Sequence, residues 1–231
     1  MLEVSGLDAF YGKVQALRGV SLSVGAGEIL CVMGRNGAGK TTTMKAIMGL
    51  VATPAGSVKL DGQELVGLKA HQIPRRGIGY VPQGRRLFAE LTVAENLEIG
   101  LMTRHSGEAT RERMLEMFPR LRDRLRQRAG TLSGGEQQML AMARALCLEP
   151  SVLLMDEPTE GLQPSMIALI REAAVEMRAR GVAVILVEQR ADAVLSVADR
   201  VTFLDNGRTA ETVEAETLRA DPSLLHAHVG V

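Results

Sequence analysis

The chain of 231 residues has no tryptophan, only two cysteines and two tyrosines, and no net charge. Lysine plus arginine and aspartate plus glutamate number 27 each, so the charge balance gives no indication of a nucleic-acid partner. Cys31 and Cys147 are far apart in the sequence and form no metal-ligand spacing. They therefore predict two small core residues in a reducing compartment.

Long apolar runs are also missing. No run approaches the roughly 18 residues that a membrane span requires, and Glu3 stands where a signal peptide would have a basic and then apolar start. We therefore expect a chain that stays in the cytoplasm. Its length and its hydrophobic content of 46% favour one domain with an inserted lobe.

A glycine-rich segment lies between an apolar run at residues 29–33 and a predicted helix at residues 42–50. It matches the Walker A pattern, in which two glycines separated by four residues are followed by Lys and Ser or Thr. Glycines let backbone N–H groups turn toward phosphate oxygens, and the next helix presents its positive N-terminus to them. The pattern predicts a nucleotide site in which Lys40 reaches the β- and γ-phosphates and Thr41 holds Mg²⁺. This phosphate loop comprises Gly34, Arg35, Asn36, Gly37, Ala38, Gly39, Lys40 and Thr41, with Thr42 next.

Two alternating segments before the phosphate loop, at residues 2–7 and 17–24, predict half-buried strands of a small antiparallel flank. A turn at residues 10–12 would join them and would carry Tyr11. The aromatic face of Tyr11 could stack on a purine, or the ring could pack under the turn.

After the phosphate loop, residues 51–56 predict a turn-rich break and residues 58–60 a hairpin strand. A short apolar strand follows at residues 78–81, with Gln83 just after it. Gln83 could reach Mg²⁺ or the γ-phosphate, or could be an ordinary polar residue at a strand end.

Residues 85–151 are predicted as an inserted helical lobe, set between residues 1–84 and 152–231 of the nucleotide-binding core. Helical periodicity covers residues 93–102 and 108–118, with Thr92 and Ser106 as candidate starts. Eight arginines against four acids lie between Arg104 and Arg128. With Phe118 as its single aromatic residue, this charge-rich stretch predicts solvated surface and no nucleic-acid site.

A second anion cradle precedes an apolar helix at residues 139–148. Ser-Gly-Gly at a helix N-terminus can bind phosphate, and one nucleotide does not need two such cradles on one chain. We infer that it faces the nucleotide of another subunit. This signature segment consists of Leu132, Ser133, Gly134, Gly135, Glu136 and Gln137.

Two adjacent acids follow the apolar run 152–155. Asp156, at the carboxyl end of a buried parallel strand, can hold Mg²⁺ through water, and Glu157 can polarise an attacking water. The α/β alternation then continues with a helix from Pro164 to Arg180 and strands at residues 182–187, 201–204 and 208–213. A polar helical tail begins at residue 214, and its His226 and His228 are expected on the surface.

Together these motifs resemble the ATP-binding subunits of ABC transporters over nearly the whole chain. The resemblance implies an α/β fold with a P-loop NTPase core, an antiparallel β flank and an inserted helical lobe. It implies ATP and Mg²⁺ as ligands, with Thr41, Gln83 and Asp156 near the metal, Tyr11 stacked on adenine and Glu157 as the catalytic base. It also implies a head-to-tail dimer in which the signature segment of one subunit closes on the γ-phosphate held by the other.

A narrower resemblance is to the second ATP-binding subunit of branched-chain amino-acid importers. The residues that carry it are 81–86, 157–162 and 187–189. It implies two membrane permease subunits, an indirect solute-binding protein and a position on the cytoplasmic face of the inner membrane. Urea or short-amide importers share much of the pattern, and a soluble ABC ATPase or a non-hydrolysing nucleotide-dependent module are alternatives of another class.

Two positions depart from the general ABC pattern. Gln189 replaces the usual His after the last core strand, and Gln163 replaces the usual Asp of the loop after the catalytic Glu. Gln can hydrogen-bond a phosphate but cannot carry a positive charge. We therefore expect a heterodimer whose other subunit keeps the His, with a homodimer as the alternative.

Overall fold

The computed structural model describes residues 1–221, 223 and 225; His226 and His228 lie outside the described residues. The strands are β1 Leu2–Tyr11, β2 Val14–Val24, β3 Ile29–Met33, β4 Ala52–Leu60, β5 Gln63–Glu64, β6 Ile78–Val81, β7 Val152–Asp156, β8 Ala183–Val187, β9 Arg200–Asp205 and β10 Arg208–Glu214. The α-helices are α1 Lys40–Ile47, α2 Val93–Arg104, α3 Glu108–Met117, α4 Pro119–Arg122, α5 Gly134–Leu146, α6 Pro164–Ala179, α7 Ala191–Val197 and α8 Ala215–Ala220.

The central sheet has six strands in the order β10-β9-β3-β8-β7-β6. All neighbours pair in parallel except β10, which is antiparallel to β9. Every residue of β3, β7 and β8 is buried, as expected for parallel strands that are covered on both faces. The three strands therefore end at one edge of the sheet, and the loops that leave this edge carry the polar residues singled out above.

The antiparallel flank is a second sheet in the order β2-β1-β4-β5. The predicted break at residues 51–56 is wrong, because β4 already begins at Ala52, which pairs with Phe10 of β1. Strand β5 pairs only with the last two residues of β4. The earlier part of β4 is therefore an edge of the sheet, and an edge tolerates Pro54. Gly56 has φ of +96°, and a Cβ there would lie 2.5 Å from the carbonyl oxygen of Gly6. Glycine is thus required by a close backbone approach within the sheet.

The turn between β1 and β2 is also shifted from its predicted place. Tyr11 is the last residue of β1 and pairs with Val14, so the turn consists of Gly12 and Lys13. Tyr11 therefore lies at a strand end, with 46% of its surface exposed. The predicted position of Tyr11 within the turn was wrong by one residue.

Helices α2 to α5 lie between β6 and β7 in the sequence, within the predicted lobe. Thr92 caps α2 as expected, in a reciprocal arrangement with Glu95. The residue before α3 is Gly107, so the prediction that Ser106 starts this helix was wrong. Several arginines of the lobe form ion pairs with acids, including Arg122 with Glu112 at 2.7 Å. Such pairs fit the expected solvated surface.

None of the helices in the described part of the chain is both long and apolar enough to cross a membrane. The longest apolar helix of the lobe, α5, is instead buried along most of its length. Its neighbour α2 crosses it at Gly100. A Cβ at Gly100 would lie 2.4 Å from the carbonyl oxygen of Arg144 and 2.8 Å from Cβ of Cys147. The two helices therefore approach as closely as a glycine allows.

Replacing Gly100 with Ala should destabilise the protein. Alanine favours the helix by about 1 kcal/mol, but the added methyl group meets a backbone carbonyl that cannot move freely, and overpacking costs about 1–3 kcal/mol. We expect the free energy of unfolding, measured by urea titration, to fall by about 1–2 kcal/mol. Met102→Ala on the same helix, where the side chain is 66% exposed, should change it by less than about 0.5 kcal/mol. A Gly100→Ala protein as stable as the parent would contradict this packing.

Candidate functional site

An open cavity of about 840 Å³ lies at the carboxyl edge of the central sheet. Its walls come from the phosphate loop, from β2, from the hairpin between β9 and β10, and from the loops after β6, β7 and β8. The lining residues are Val14, Gln15, Ala16, Arg18, Asn36, Gly37, Gly39, Lys40, Thr41, Thr42, Gln83, Glu157, Glu160, Gln189, Asn206 and Arg208. This volume is large enough for a nucleotide.

The phosphate loop connects β3 directly to α1. Gly39 precedes the helix with φ of +107°, and a Cβ there would lie 2.7 Å from the Leu17 side chain. Lys40 is buried, and its Nζ donates hydrogen bonds to the carbonyl oxygens of Gly34 at 2.7 Å and Arg35 at 3.2 Å. Burial lowers the pKa of Lys40, whereas the Glu157 and Asp156 carboxylates act in the opposite direction. The ammonium group therefore sits in a desolvated place where a polyphosphate would be a strong partner.

Asp156 ends β7 and is fully buried. Its Oδ1 accepts a hydrogen bond from Thr41 Oγ1 at 3.1 Å, and its Oδ2 accepts a longer one from Tyr80 Oη at 3.4 Å. Burial raises the pKa of Asp156, while the Thr41 hydroxyl opposes this shift. Within the described residues no lysine or arginine forms an ion pair with Asp156.

A hydroxyl and a buried carboxylate that forms no ion pair with a described residue are hard oxygen ligands, and they fit Mg²⁺. No group of three or more His, Cys, Asp or Glu in the described part of the chain could hold a metal. The pair Thr41 and Asp156 would therefore hold the ion only together with water and nucleotide oxygens, as Mg²⁺ commonly requires.

Glu157 follows Asp156 in the left-handed region, with φ of +48°. Its Oε1 accepts a hydrogen bond from Gln189 Nε2 at 2.6 Å, and its Oε2 accepts one from Gln83 Nε2 at 3.1 Å. Gln83 also donates to Glu160 Oε2 at 3.1 Å. The sequence-predicted residues Gln83, Glu157 and Gln189, which are far apart in the chain, thus meet in one hydrogen-bonded cluster that faces the cavity.

The signature segment does not line this cavity. Ser133 caps α5: its Oγ accepts a hydrogen bond from the Glu136 N–H, and its own N–H donates to Glu136 Oε2 at 2.9 Å. Leu132 is buried, and Gln137 accepts a hydrogen bond from Arg85 at 3.2 Å. The arrangement leaves the N-terminus of α5 without contact to the nucleotide cavity of its own chain.

Other predicted residues lie near the cavity without lining it. Tyr11 is at the end of β1, paired with Val14, which does line the cavity. Gly34 and Arg35 contribute the carbonyls that hold Lys40, and the backbone oxygen of Ala38 accepts a hydrogen bond from Gly207 N–H at 3.0 Å. Stacking of Tyr11 on adenine stays a prediction.

Sequence reasoning missed the wall formed by Arg18, Asn206 and Arg208. Asn206-Gly207 indicates a hairpin turn, but nothing local shows where this hairpin packs. Gly207 lies between the phosphate loop and β2, where a Cβ would come within 2.3 Å of the Ala16 carbonyl oxygen. That contact brings the side chains on either side of Gly207 to the cavity.

A family model described as "ABC transporter" matches residues 17–160, which is more than half of the chain. This chain belongs to the ABC transporter family. As an ABC transporter ATP-binding domain it is an ATPase that binds ATP and ADP, and the expected P-loop α/β fold is confirmed.

Relatives of this ABC ATPase include three transport proteins. It is 44% identical to the high-affinity branched-chain amino acid transport ATP-binding protein BraG of Pseudomonas aeruginosa, with complete coverage of both chains. It is 39% identical to the probable branched-chain amino acid transport ATP-binding protein LivF of Archaeoglobus fulgidus, over 91% of this chain and 90% of the relative. It is 32% identical to the lipopolysaccharide export system ATP-binding protein LptB of Haemophilus influenzae, over 100% and 97%.

Solved structures resemble this ABC ATPase over nearly its whole length. A structure described as an ATP-binding subunit of an ABC transporter is 31% identical, with a TM-score of 0.86 and coverage of 100% of this chain and 96% of the other. The ADP conformation of the cassette MJ1267 is 27% identical, with a TM-score of 0.83 and coverage of 100% and 99%. A dimeric structure of the bacterial cassette MJ0796 is 27% identical, with a TM-score of 0.80 and coverage of 93% and 99%.

Lys40→Met should weaken ATP binding, because it removes the desolvated cation that is expected to contact the phosphates. We expect the dissociation constant for ATP, measured with a fluorescent nucleotide, to rise about tenfold or more, with little change for adenosine. Lys59→Met on the exposed surface of β4 removes the same charge outside the cavity and should leave the constant unchanged. Equal ATP affinity of the Lys40→Met and parent proteins would exclude the expected role of Lys40.

Proposed function

We propose that the chain is the ATP-hydrolysing subunit of an importer that takes up branched-chain amino acids through a membrane permease. The observation that carries the proposal is the 44% identity to BraG over the full length of both chains. The lower identity to LptB, a lipopolysaccharide export protein, supports only the broader family. Peripheral attachment to the cytoplasmic face of the membrane follows, because the proposed permease partner lies within it.

The proposed chemistry depends on positions and charges, since phosphoryl transfer needs little covalent help from the protein. Lys40 binds the β- and γ-phosphates. Thr41, Asp156 and, through water, Gln83 would hold Mg²⁺, and the ion would supply positive charge that neutralises developing charge on the phosphate oxygens. Glu157 orients and deprotonates the attacking water.

The two glutamines around Glu157 have distinct proposed roles. Each donates an amide N–H to a different carboxylate oxygen, which fixes the plane of the carboxyl group. Gln189 cannot carry a positive charge, so it would stabilise the γ-phosphate less than a protonated His. This difference supports a heterodimer whose other subunit keeps the His, although a homodimer satisfies the same geometry.

The site is completed by a second subunit in this proposal. The signature segment lies outside the cavity of its own chain, and the positive N-terminus of its helix is suited to bind an anion. Ser133 and the Gly134–Gly135 backbone would close on the γ-phosphate held by the other subunit. The dimeric structure of MJ0796, a related cassette, supports an assembly of two such domains.

A groove of about 440 Å³ between the lobe and the core is the proposed permease contact. Phe88 lines this groove with 49% of its surface exposed. The buried side chain of Asn96 fixes the Phe88 backbone: Asn96 Oδ1 accepts a hydrogen bond from the Phe88 N–H, and Asn96 Nδ2 donates one to the Phe88 carbonyl, both at 3.1 Å. The Arg144 guanidinium lies 5.2 Å from the ring centre. An aromatic side chain held this firmly, a few residues after Gln83, suits a contact that transmits movement of Gln83 to a cytoplasmic helix of the permease.

Replacing Phe88 with Ala should uncouple the permease from ATP hydrolysis. We expect permease-stimulated ATP turnover and solute uptake to fall about tenfold or more, since a central aromatic contact is lost, while ATP affinity is unchanged. Leu50→Ala, another exposed apolar residue that lies outside the groove, serves as the control. Full uptake by the Phe88→Ala complex would contradict the proposed docking site.

Uptake of labelled solutes by the reconstituted transporter tests the proposed function. The chain is assembled with its permease, binding protein and any second ATPase subunit, and Glu157→Gln provides the inactive blank. We expect ATP-dependent uptake of leucine, isoleucine and valine. Uptake of urea without leucine would favour the urea or short-amide importer. Failure of all uptake, with salt-sensitive binding to nucleic acid, would favour a soluble ABC ATPase, whereas ATP binding without turnover would favour a non-hydrolysing module.

A further inference from the structure

A second acid lies behind Glu157, on the side away from the cavity. Glu188 follows β8 directly, one residue before Gln189, and only 4% of it is exposed. Its backbone N–H points to the carbonyl of Val32 in β3 at 3.4 Å. Glu188 is thus fixed beside the end of the strand that leads into the phosphate loop.

The Glu188 side chain forms hydrogen bonds with the loop that carries Glu157. Its Oε1 accepts hydrogen bonds from Thr159 Oγ1 at 2.7 Å and from the Thr159 N–H at 3.3 Å. Thr159 is itself buried, with 6% exposure, and lies two residues after Glu157. One carboxylate oxygen therefore joins the loop after β7 to the loop after β8.

The loop after β7 needs such support. Glu157 has φ of +48°, a conformation that a residue with a side chain adopts only when its surroundings hold it there. Its N–H donates to the Val187 carbonyl at 3.0 Å, which fixes the start of the loop. The Glu188–Thr159 contact fixes the loop two residues later, so the turn is held on both sides of the strained residue.

We propose that Glu188 is a positioning residue for ATP hydrolysis: through Thr159 it holds the loop that presents Glu157 at hydrogen-bonding distance from Gln189. The proposal rests on the proposed role of Glu157 as the catalytic base. Glu188 itself does not touch the cavity.

A role in packing alone does not account for an acid at this place. Burial raises the pKa of Glu188, because a buried site disfavours the charged form of a carboxyl group. An apolar residue of similar size would fill the same space without that cost. The carboxylate accepts a backbone hydrogen bond from its neighbour Gln189 and two further hydrogen bonds from Thr159, on the loop of Glu157.

Paired variants test the contact with little change of shape. Thr159→Val removes the hydroxyl donor, and Thr159→Ser restores it in a smaller side chain. Glu188→Leu removes the acceptor, and Glu188→Gln keeps an acceptor oxygen. ATP turnover is measured in the assembly that is active, and the ATP dissociation constant is measured for each variant, with Glu157→Gln as the blank.

We expect Thr159→Val and Glu188→Leu to lower kcat about tenfold, because displacement of a catalytic group by a fraction of an ångström has effects of this size. Their ATP dissociation constants should change less than about twofold, since Lys40 and the phosphate loop are not altered. Thr159→Ser and Glu188→Gln should recover most of the lost turnover. Gln189→Ala should cost less in the Glu188→Leu background than alone, because Glu157 is then already displaced from Gln189.

Normal kcat in Thr159→Val would overturn the proposal. So would loss of kcat and ATP affinity in parallel, combined with a fully additive effect of Gln189→Ala, since that result describes a fold contact only. If Glu157→Gln keeps full turnover, the proposed role of Glu157 itself is wrong, and that outcome is separate from the comparison of the Thr159 variants.

Discussion

The buried carboxylate of Asp156 is the group around which the site is built. In the parallel pairing of β7 with β8, Asp156 stands opposite Val187, and Val187 stands opposite Val32 of β3. This register places the ends of three buried strands side by side. The register also brings together Glu157, Glu188 and the start of the phosphate loop, because each of them lies within two residues of that row. A carboxylate here costs free energy unless a cation or a set of donors compensates it.

The same need for compensation applies to the two buried charged groups at the cavity. Lys40 and Asp156 are both buried. Burial lowers the pKa of Lys40 and raises the pKa of Asp156, so it favours the neutral form of each. Nucleotide phosphates and Mg²⁺ would reverse both effects at once, since they supply an anion to Lys40 and a cation to Asp156. Binding of the nucleotide and ionisation of these two groups are therefore coupled by the same geometry.

Residues that act through local chemistry could be predicted from the sequence. The phosphate loop, the strand before it and the pair Asp156–Glu157 have patterns that local rules explain, and β3 has the predicted bounds. The predicted break around Gly56 was wrong because its turn-forming residues lie at a sheet edge that tolerates them. That position depends on tertiary structure, which local sequence does not show. The roles of Arg208 and Glu188 could not be predicted from the sequence. Arg208 depends on the packing of Gly207 against β2, and Glu188 depends on a contact between residues 29 positions apart.

The central claim is that nucleotide is bound between two subunits, with Lys40 of one and Ser133 of the other at the same phosphate. The mass of the Glu157→Gln protein in solution, measured by light scattering with and without ATP, tests it most directly. The account predicts an ATP-dependent dimer, either with itself or with its partner subunit, that is lost when Ser133→Arg is added although ATP still binds. A Glu157→Gln protein that binds ATP and stays monomeric in both settings would contradict it.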